Sequence, residues 1–440
     1  MSGLHLEDRV KAHGWFGRRL AEYYRWYPKR IDPPKVDQLM MSPRSIEGVY
    51  VHVPFCDELC VFCPFNKRRS HDVDLASYVA AMRSEIDQYS AFCTSNGLKF
   101  IYLGGGTPSV LPPGAVEELL VALSERFAIA DDCEISVEVH PSHATKDYLN
   151  SLRRIGVTRV SSGIQSLDDQ LLGRIGATHT GVQSVAALEA ISETFSAWGL
   201  DLLYRCPGQS VREWEESLEK TIRTWNPPHV SCYTIYLPDP SEQPTREEDV
   251  EMAVIANELL SSSGHEHYAS CATGGFDHAL PGHRCQYEVR HWGAPQASYL
   301  GIGAGAIGFV GDTVTVNVHD PAKYARLAAT LLPIIATTAV TSTELQHRYF
   351  VLGVKAIEVP LDPFQSTFGT SPHVVFKGQF QDLIDADLAT LDHEKKMLRL
   401  TDVGRFFVDQ VSECFWSQAE MGIPHPETDS LRRLEMTHRN

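Results

Sequence analysis

Between residues 47 and 262 the chain alternates six times between a short run rich in β-branched and aromatic residues and a longer amphipathic segment. The short runs are Val49–Val53, Phe100–Leu103, Glu134–Val139, Val157–Ile164, Leu200–Tyr204 and Val230–Leu237. The segments that follow them are Leu75–Tyr89, Pro113–Phe127, Tyr148–Ile155, Leu167–Ile175 with Val182–Trp198, Arg212–Thr224 and Asp249–Ser262. In the first of these, positions 75, 78, 79, 82, 86 and 89 are apolar, the spacing of one helix face. Strand–helix units in series predict a parallel sheet with right-handed crossovers. Eight units close a barrel, so six predict a partial one: an α/β fold with a (β/α)6 TIM-like core over 47–262. Such cores carry their chemistry at the C-terminal ends of the strands, which is where candidate residues are sought.

The flanks read differently. Residues 1–46 mix Trp15, Phe16, Arg18, Arg19, Tyr23, Tyr24 and Trp26 and end in Pro33-Pro34, which predicts a helical arm. Glycines, histidines and short β runs over 263–335 predict an extension of the core. Over 336–423 a small C-terminal domain is expected. Thr341–Val354 and Phe376–Leu391 read as helices, Met397–Thr401 as a strand, Gly404 as a turn and Val408–Phe415 as a helix. The polar stretch 424–440 reads as a mobile tail.

Ten cysteines in 440 residues are too few for a disulfide scaffold, and their spacing is uneven. Cys93, Cys133, Cys206, Cys232, Cys271, Cys285 and Cys414 stand singly and read as small buried hydrophobes. Cys56, Cys60 and Cys63 fall within eight residues, and three thiolates so close need an iron–sulfur cluster or a zinc ion to offset their charge. A structural zinc takes four protein ligands, and His52, on the strand before the loop, is the one nearby candidate for the fourth. Three cysteines suit a [4Fe–4S] cluster with one iron left open to a small molecule. Lys plus Arg total 39 against 56 for Asp plus Glu, a net charge of −17, which argues against a nucleic-acid binder. No run approaches the roughly 20 apolar residues of a membrane span. Met1 to Asp8 lacks the pattern of a secretory signal, and an open [4Fe–4S] site needs a reducing compartment, so a cytoplasmic protein is expected.

The cysteine spacing, with Phe62 before the last cysteine, resembles the signature of radical S-adenosylmethionine (SAM) enzymes. The wider phrase Tyr50-x-His52-x-Pro54-Phe55-Cys56 is similar to the subgroup around oxygen-independent coproporphyrinogen III oxidase and its haem-chaperone relatives. That resemblance implies a winged-helix-like C-terminal cap and a set of SAM contacts. Gly104-Gly105-Gly106-Thr107 would hold the SAM ammonium group, and Glu138 its ribose hydroxyls. Gln165 would reach the nucleoside, Arg174 would pair with the carboxylate, and Asp201 would face the same ligand. Tyr50 and His52 would flank the cluster. The chemistry implied is one-electron cleavage of SAM to a 5′-deoxyadenosyl radical, with an external flavodoxin- or ferredoxin-type donor.

Within that subgroup the sequence departs from two branches. The oxidase has a fourth cysteine where this chain has Phe65, although Asn66-Lys67 matches it. The haem-chaperone motif places its haem-ligating histidine at Tyr287, and neither His283 nor His291 is in register. These departures favour a third branch, the class C methylases and cyclopropanases. Those enzymes bind two SAM molecules and transfer a one-carbon unit to an sp² carbon of a natural product. The second SAM is then expected near Phe62, Phe65, Gly105, Gly106, Thr107 and Ile235. A flat aromatic or conjugated substrate is expected against Trp292, Tyr299 and Tyr233. A partner methyltransferase-like enzyme would fit such a pathway; a nucleic acid or membrane partner would not. The other two readings are a haem-pathway oxidative decarboxylase and a haem carrier of the chaperone kind.

Overall fold

The computed structural model describes residues 5–13, 27–235, 245–271 and 275–421. The aromatic and basic residues of the expected arm from Trp15 to Trp26, and the expected tail 424–440, lie outside them. The described residues divide into two compact units. One holds 30–200 and 297–340, and the other holds 5–13, 27–29, 201–296 and 341–421.

In the first unit, strands β1 (Gly48–Val53), β2 (Asn96–Gly105), β3 (Ala128–Glu138) and β4 (Arg159–Gln165) pair in parallel in chain order. Val51 stands opposite Leu103, Leu103 opposite Val137, and Val137 opposite Val160. These four are wholly buried, as expected of parallel strands covered on both faces. The intervening helices are Leu75–Ser90, Pro113–Arg126 and Lys146–Arg154, and β4 leads into Asp169–Ile175 and Gly181–Thr194. Local chemistry sets their ends. Asp74 accepts from the Ala76 and Ser77 amides, and Thr180 with Gln183 forms a reciprocal capping box. On the free side of β1, Tyr299–Ile302 pairs in parallel. An antiparallel series of Ile307–Val310, Thr313–Asn317 and Ile334–Ala339 continues from it.

Sequence reading ends β2 at Leu103, but the ladder continues through His52 opposite Gly104 and Val53 opposite Gly105. The glycine run therefore begins inside the strand. Below β1 lies a buried carboxyl. Glu85 accepts from the Gly303 amide at 2.9 Å and from Asn317 Nδ2 at 2.6 Å, and it bonds the Tyr324 hydroxyl. Burial raises its pKa to about 7 against these three bonds, so desolvation outweighs them.

The fifth strand, Ala197–Tyr204, contains the division between the units. The expected helix Val182–Trp198 stops at Thr194, and Ala197-Trp198 already belongs to this strand. An apolar run of that length fits either period. In the second unit the sixth strand, His229–Thr234, pairs antiparallel with Gly275–Ala279, which pairs in turn with Glu266–Cys271. Helices Val211–Trp225 and Arg246–Ser262 are joined by Trp214 Nε1 donating to the Met252 carbonyl at 2.9 Å.

Toward the C-terminus, helices surround a three-stranded antiparallel sheet of Glu358–Pro360, Met397–Leu400 and Ala389–Asp392. The expected helix Phe376–Leu391 is shorter, Lys377–Asp385. Asp387 then turns through φ 56° and Ala389 enters the sheet. Phe350 centres this core, with ring centroids of Phe376 and Phe415 at 5.0 Å and Phe380 at 5.3 Å. Each such buried ring contributes roughly 2–3 kcal/mol.

Candidate functional site

The three clustered cysteines lie on a loop with a closed neck. Phe55 and Cys56 pair with Arg68 and Arg69, and the Arg68 amide donates to the Pro54 carbonyl at 2.7 Å. Within the loop, Lys67 Nζ donates to the Cys60 carbonyl at 2.8 Å and the Cys63 carbonyl at 2.5 Å. Asn66 Nδ2 donates to the carbonyls of Ala304 and His319. Cys56 is buried, Cys60 and Cys63 are half-buried, and none is in a disulfide.

Hydroxyl groups face two of the sulfurs. Thr107 Oγ1 donates to Cys56 Sγ at 3.3 Å, and Thr178 Oγ1 lies 3.5 Å from Cys60 Sγ. Burial pushes the Cys56 thiol up to about 11. Thr107 opposes the rise, while Cys63 and Cys60 add to it through their charge. Three sulfurs thus act on one another from separate positions. Among the described residues no three His, Cys, Asp or Glu side chains close on a single ion. A cubane takes one thiolate at each of three corners, so this donor set fits a cluster, and binding it removes the thiol protons.

The strand ends supply the surroundings. Gly105 has φ +115°, and a Cβ there would meet the His52 ring at 2.7 Å. His52 is buried with both ring nitrogens engaged. Nε2 donates to the Asn66 carbonyl at 3.3 Å, so Nδ1 accepts from the Tyr50 hydroxyl at 3.0 Å. His52 therefore braces the glycine strand and the cysteine loop, and is not placed as a fourth metal ligand. Glu138, at the end of β3, accepts from Tyr102 Oη at 2.8 Å and the Gly105 amide at 3.2 Å. Its burial raises its pKa against those bonds.

Gln165 ends β4 in a left-handed conformation, φ 62°. Arg174 is exposed on helix Asp169–Ile175, whose glycine cap, Gly176, lies against Val61 of the loop. Phe62 is half-buried and Phe65 exposed on the loop. Tyr50, His52, the cysteines, Phe62, Phe65, Gly104, Gly105, Gly106, Thr107, Glu138, Gln165 and Arg174 thus share the first unit. Asp201, within strand Ala197–Tyr204, and the buried Ile235 belong to the second. The aromatics expected around a substrate divide too. Tyr299 is buried in the first unit near the Phe100 ring, while Trp292 and Tyr233 are in the second.

Sequence reasoning missed His143, Thr178 and His179. His143 bonds Asp57 next to Cys56, and His179 is buried with Nε2 donating to the Ile164 carbonyl. The His-Pro-Ser-His run after Glu138 was the available signal. In the second unit, helix Gln286–Trp292 carries Tyr287 one turn before His291, ring centroids 5.3 Å apart. His291 packs edge-on to Trp292 at 4.2 Å, and burial, then Arg348 and Lys355, push its pKa down to about 3. The other histidine weighed for haem, His283, is half-buried just before this helix. Among the described residues no helix is long and apolar enough to cross a membrane.

The family model of the Radical SAM superfamily matches residues 50–221. The heme chaperone HemW of Lactococcus lactis is 27% identical over 389 residues, covering 86% of this chain and 98% of that protein. The heme chaperone HemW of Escherichia coli is 31% identical over 272 residues, covering 60% of this chain and 70% of that protein. Among solved structures, coproporphyrinogen III oxidase (HemN) from Escherichia coli superimposes with a TM-score of 0.75 at 21% identity. That match covers 89% of this chain and 96% of the other.

The fold is the α/β radical SAM fold, and its cofactors are a [4Fe–4S] cluster and SAM. A small-molecule substrate and an electron donor follow from the superfamily. The one-carbon transferase reading is overturned, because the relatives along nearly their whole length are named heme chaperones and not methylases. With it go the cyclopropanase and the natural-product acceptor. The departure at Tyr287 is a single motif position, whereas the similarity to the heme chaperone spreads over 389 residues. On these matches the chain belongs to the radical SAM superfamily, in the family that contains the HemW heme chaperones.

Proposed function

We propose that the protein is a haem carrier of the HemW kind, with haem as its cargo and a SAM-loaded [4Fe–4S] cluster as a resident group. The observation that carries this reading is the reach of the similarity: 98% of the Lactococcus lactis protein, and so both units, not the cluster core alone. In this reading Cys56, Cys60 and Cys63 hold the cluster. The Gly104–Gly106 backbone, Glu138, Gln165 and Arg174 bind SAM. The cluster, when bound, supplies one-electron chemistry. The chain's own part is to keep Cys56 dry, to hold the loop by Lys67 and Asn66, and to fix Glu138 through Tyr102.

Haem is assigned to helix Gln286–Trp292, with Tyr287 as its axial ligand. Tyr287 stands where the motif has histidine, and a phenolate is an accepted haem ligand. His291, held neutral by burial one turn on, keeps the helix packed through Trp292.

The test is a haem titration of the reconstituted protein, followed by incubation with SAM and dithionite. A saturable Soret band at one haem per chain is expected. Absence of saturable binding, or turnover of coproporphyrinogen with 5′-deoxyadenosine release, would replace the carrier reading with an enzymatic one.

A further inference from the structure

His140-Pro141-Ser142-His143 follows the end of β3 and takes no part in SAM or haem binding as proposed above. We propose that this turn tunes the cluster: His140 is a positioning residue that, acting through Thr178, aims a hydroxyl proton at the sulfur of Cys60 and raises the cluster's reduction potential. The inference rests on Cys60 being a cluster ligand.

The direction of each bond in this relay is fixed by its neighbours. The Ser142 backbone amide points at His140 Nδ1 at 3.3 Å. An amide N–H only donates, so Nδ1 carries a lone pair. The ring proton of neutral His140 is therefore on Nε2, 3.1 Å from Thr178 Oγ1. Thr178 accepts that proton, which leaves its own hydroxyl hydrogen for Cys60 Sγ at 3.5 Å. A cluster-bound thiolate has no proton to give and can only accept. His140 stays neutral because burial, then His179 and His143, hold its pKa at about 4. Protonation would put a hydrogen on Nδ1 against the Ser142 amide, while Nε2 would go on donating to Thr178.

The same turn reaches the other end of the loop. The His140 amide donates to Ser109 Oγ at 3.0 Å, so the Ser109 hydroxyl hydrogen is turned to His143 Nδ1 at 3.0 Å. His143 Nε2 then donates to Asp57 Oδ2 at 2.8 Å, next to Cys56. Four residues after one strand thus reach the cysteine loop at two places, at Cys60 through Thr178 and at Asp57 directly. Hydrogen bonds to cluster sulfurs favour the reduced, more negative state, and outer partners that orient a ligand alter a metal site tenfold or more.

The experiment is an EPR-monitored redox titration of the reconstituted full-length protein, with iron content measured on the same samples. Thr178→Val and His140→Leu are each expected to weaken one-electron reduction about tenfold, a shift of ~59 mV to lower potential. His140→Gln, whose amide N–H can replace Nε2–H, is expected to return most of the shift. Unchanged midpoints in Thr178→Val and His140→Leu at full iron content would overturn the proposal, as would equal shifts in His140→Gln and His140→Leu. Should His140→Leu fail to hold iron, Thr178→Ser against Thr178→Val decides, since only serine keeps the hydroxyl; equal midpoints there overturn the relay. An iron-free wild-type protein would instead remove the Cys60 assignment, and the relay with it, while leaving the haem titration to stand on its own.

Discussion

The cysteine loop of the first unit and helix Gln286–Trp292 of the second are both short aromatic segments, yet they are held in opposite ways. The loop is half-exposed and depends on polar tethers: Lys67 and Asn66 inside it, Thr178, Thr107 and His143 from outside. The helix is fixed by packing. Trp292 is buried between His291 and the ammonium of Lys355, whose own charge is paired with Asp409. The ligand chemistry differs in the same sense. A [4Fe–4S] cluster takes thiolates at its corners, whereas a haem iron accepts histidine, tyrosine, cysteine or methionine. On the proposed function, a loop that presents three sulfurs keeps its motif, while a helix that takes haem can exchange its ligand and keep its packing.

Four changes would break or sharpen that contrast. The largest effect is expected from Cys60→Ala, which should remove nearly all cluster iron and visible absorption while leaving the haem titration within twofold. Joint loss of both would end the separation of the two regions. Next, Gly105→Ala forces a left-handed backbone and a Cβ 2.7 Å from His52. A stability loss of about 2–4 kcal/mol is expected in urea titrations, and a loss below 0.5 kcal/mol would contradict the bracing role of His52.

Tyr287→Phe should weaken haem binding about tenfold, ~1.4 kcal/mol, with iron content unchanged. Unaltered affinity would move the axial ligand elsewhere, with His283 and His291 the next to substitute. The smallest effect belongs to Arg69→Ala, which cuts an exposed ion pair with Glu58 at 2.9 Å. Under about 1 kcal/mol and no loss of iron are expected; a larger iron loss would mean that the loop is held by surface charge.

How much of this was legible follows from sequence separation. The strand–helix series and the cysteine spacing are local patterns, and both appear where the residues predict them. Gly105 and Glu138 lie at strand ends, so their neighbourhood could be inferred from topology. The Thr178 contact with Cys60 spans 118 residues and the His143 contact with Asp57 spans 86, and no periodicity announces either. Glu85 was hidden for another reason. Its position continues an apolar helix face, and only the three partners it meets in space explain a carboxyl there.

Those partners have a consequence for pH. The folded pKa of Glu85 lies above its unfolded value, so the folded state binds the extra proton. Stability contributed by this group is present at low pH and declines as pH rises from about 4.5 through 7, by on the order of a few kcal/mol. Glu85→Gln should flatten that decline in denaturant titrations at pH 5 and pH 8; an unchanged slope would assign it to another group.

They also set an order in time. Gly303, Asn317 and Tyr324 follow Glu85 by 218 to 239 residues. A nascent chain that has emerged only as far as residue 296 has made strands β1 to β4 of the first unit, but has nothing to offer the carboxyl on the helix beneath them. Closing this unit during synthesis therefore waits for the ribosome to finish a stretch that lies beyond much of the second unit.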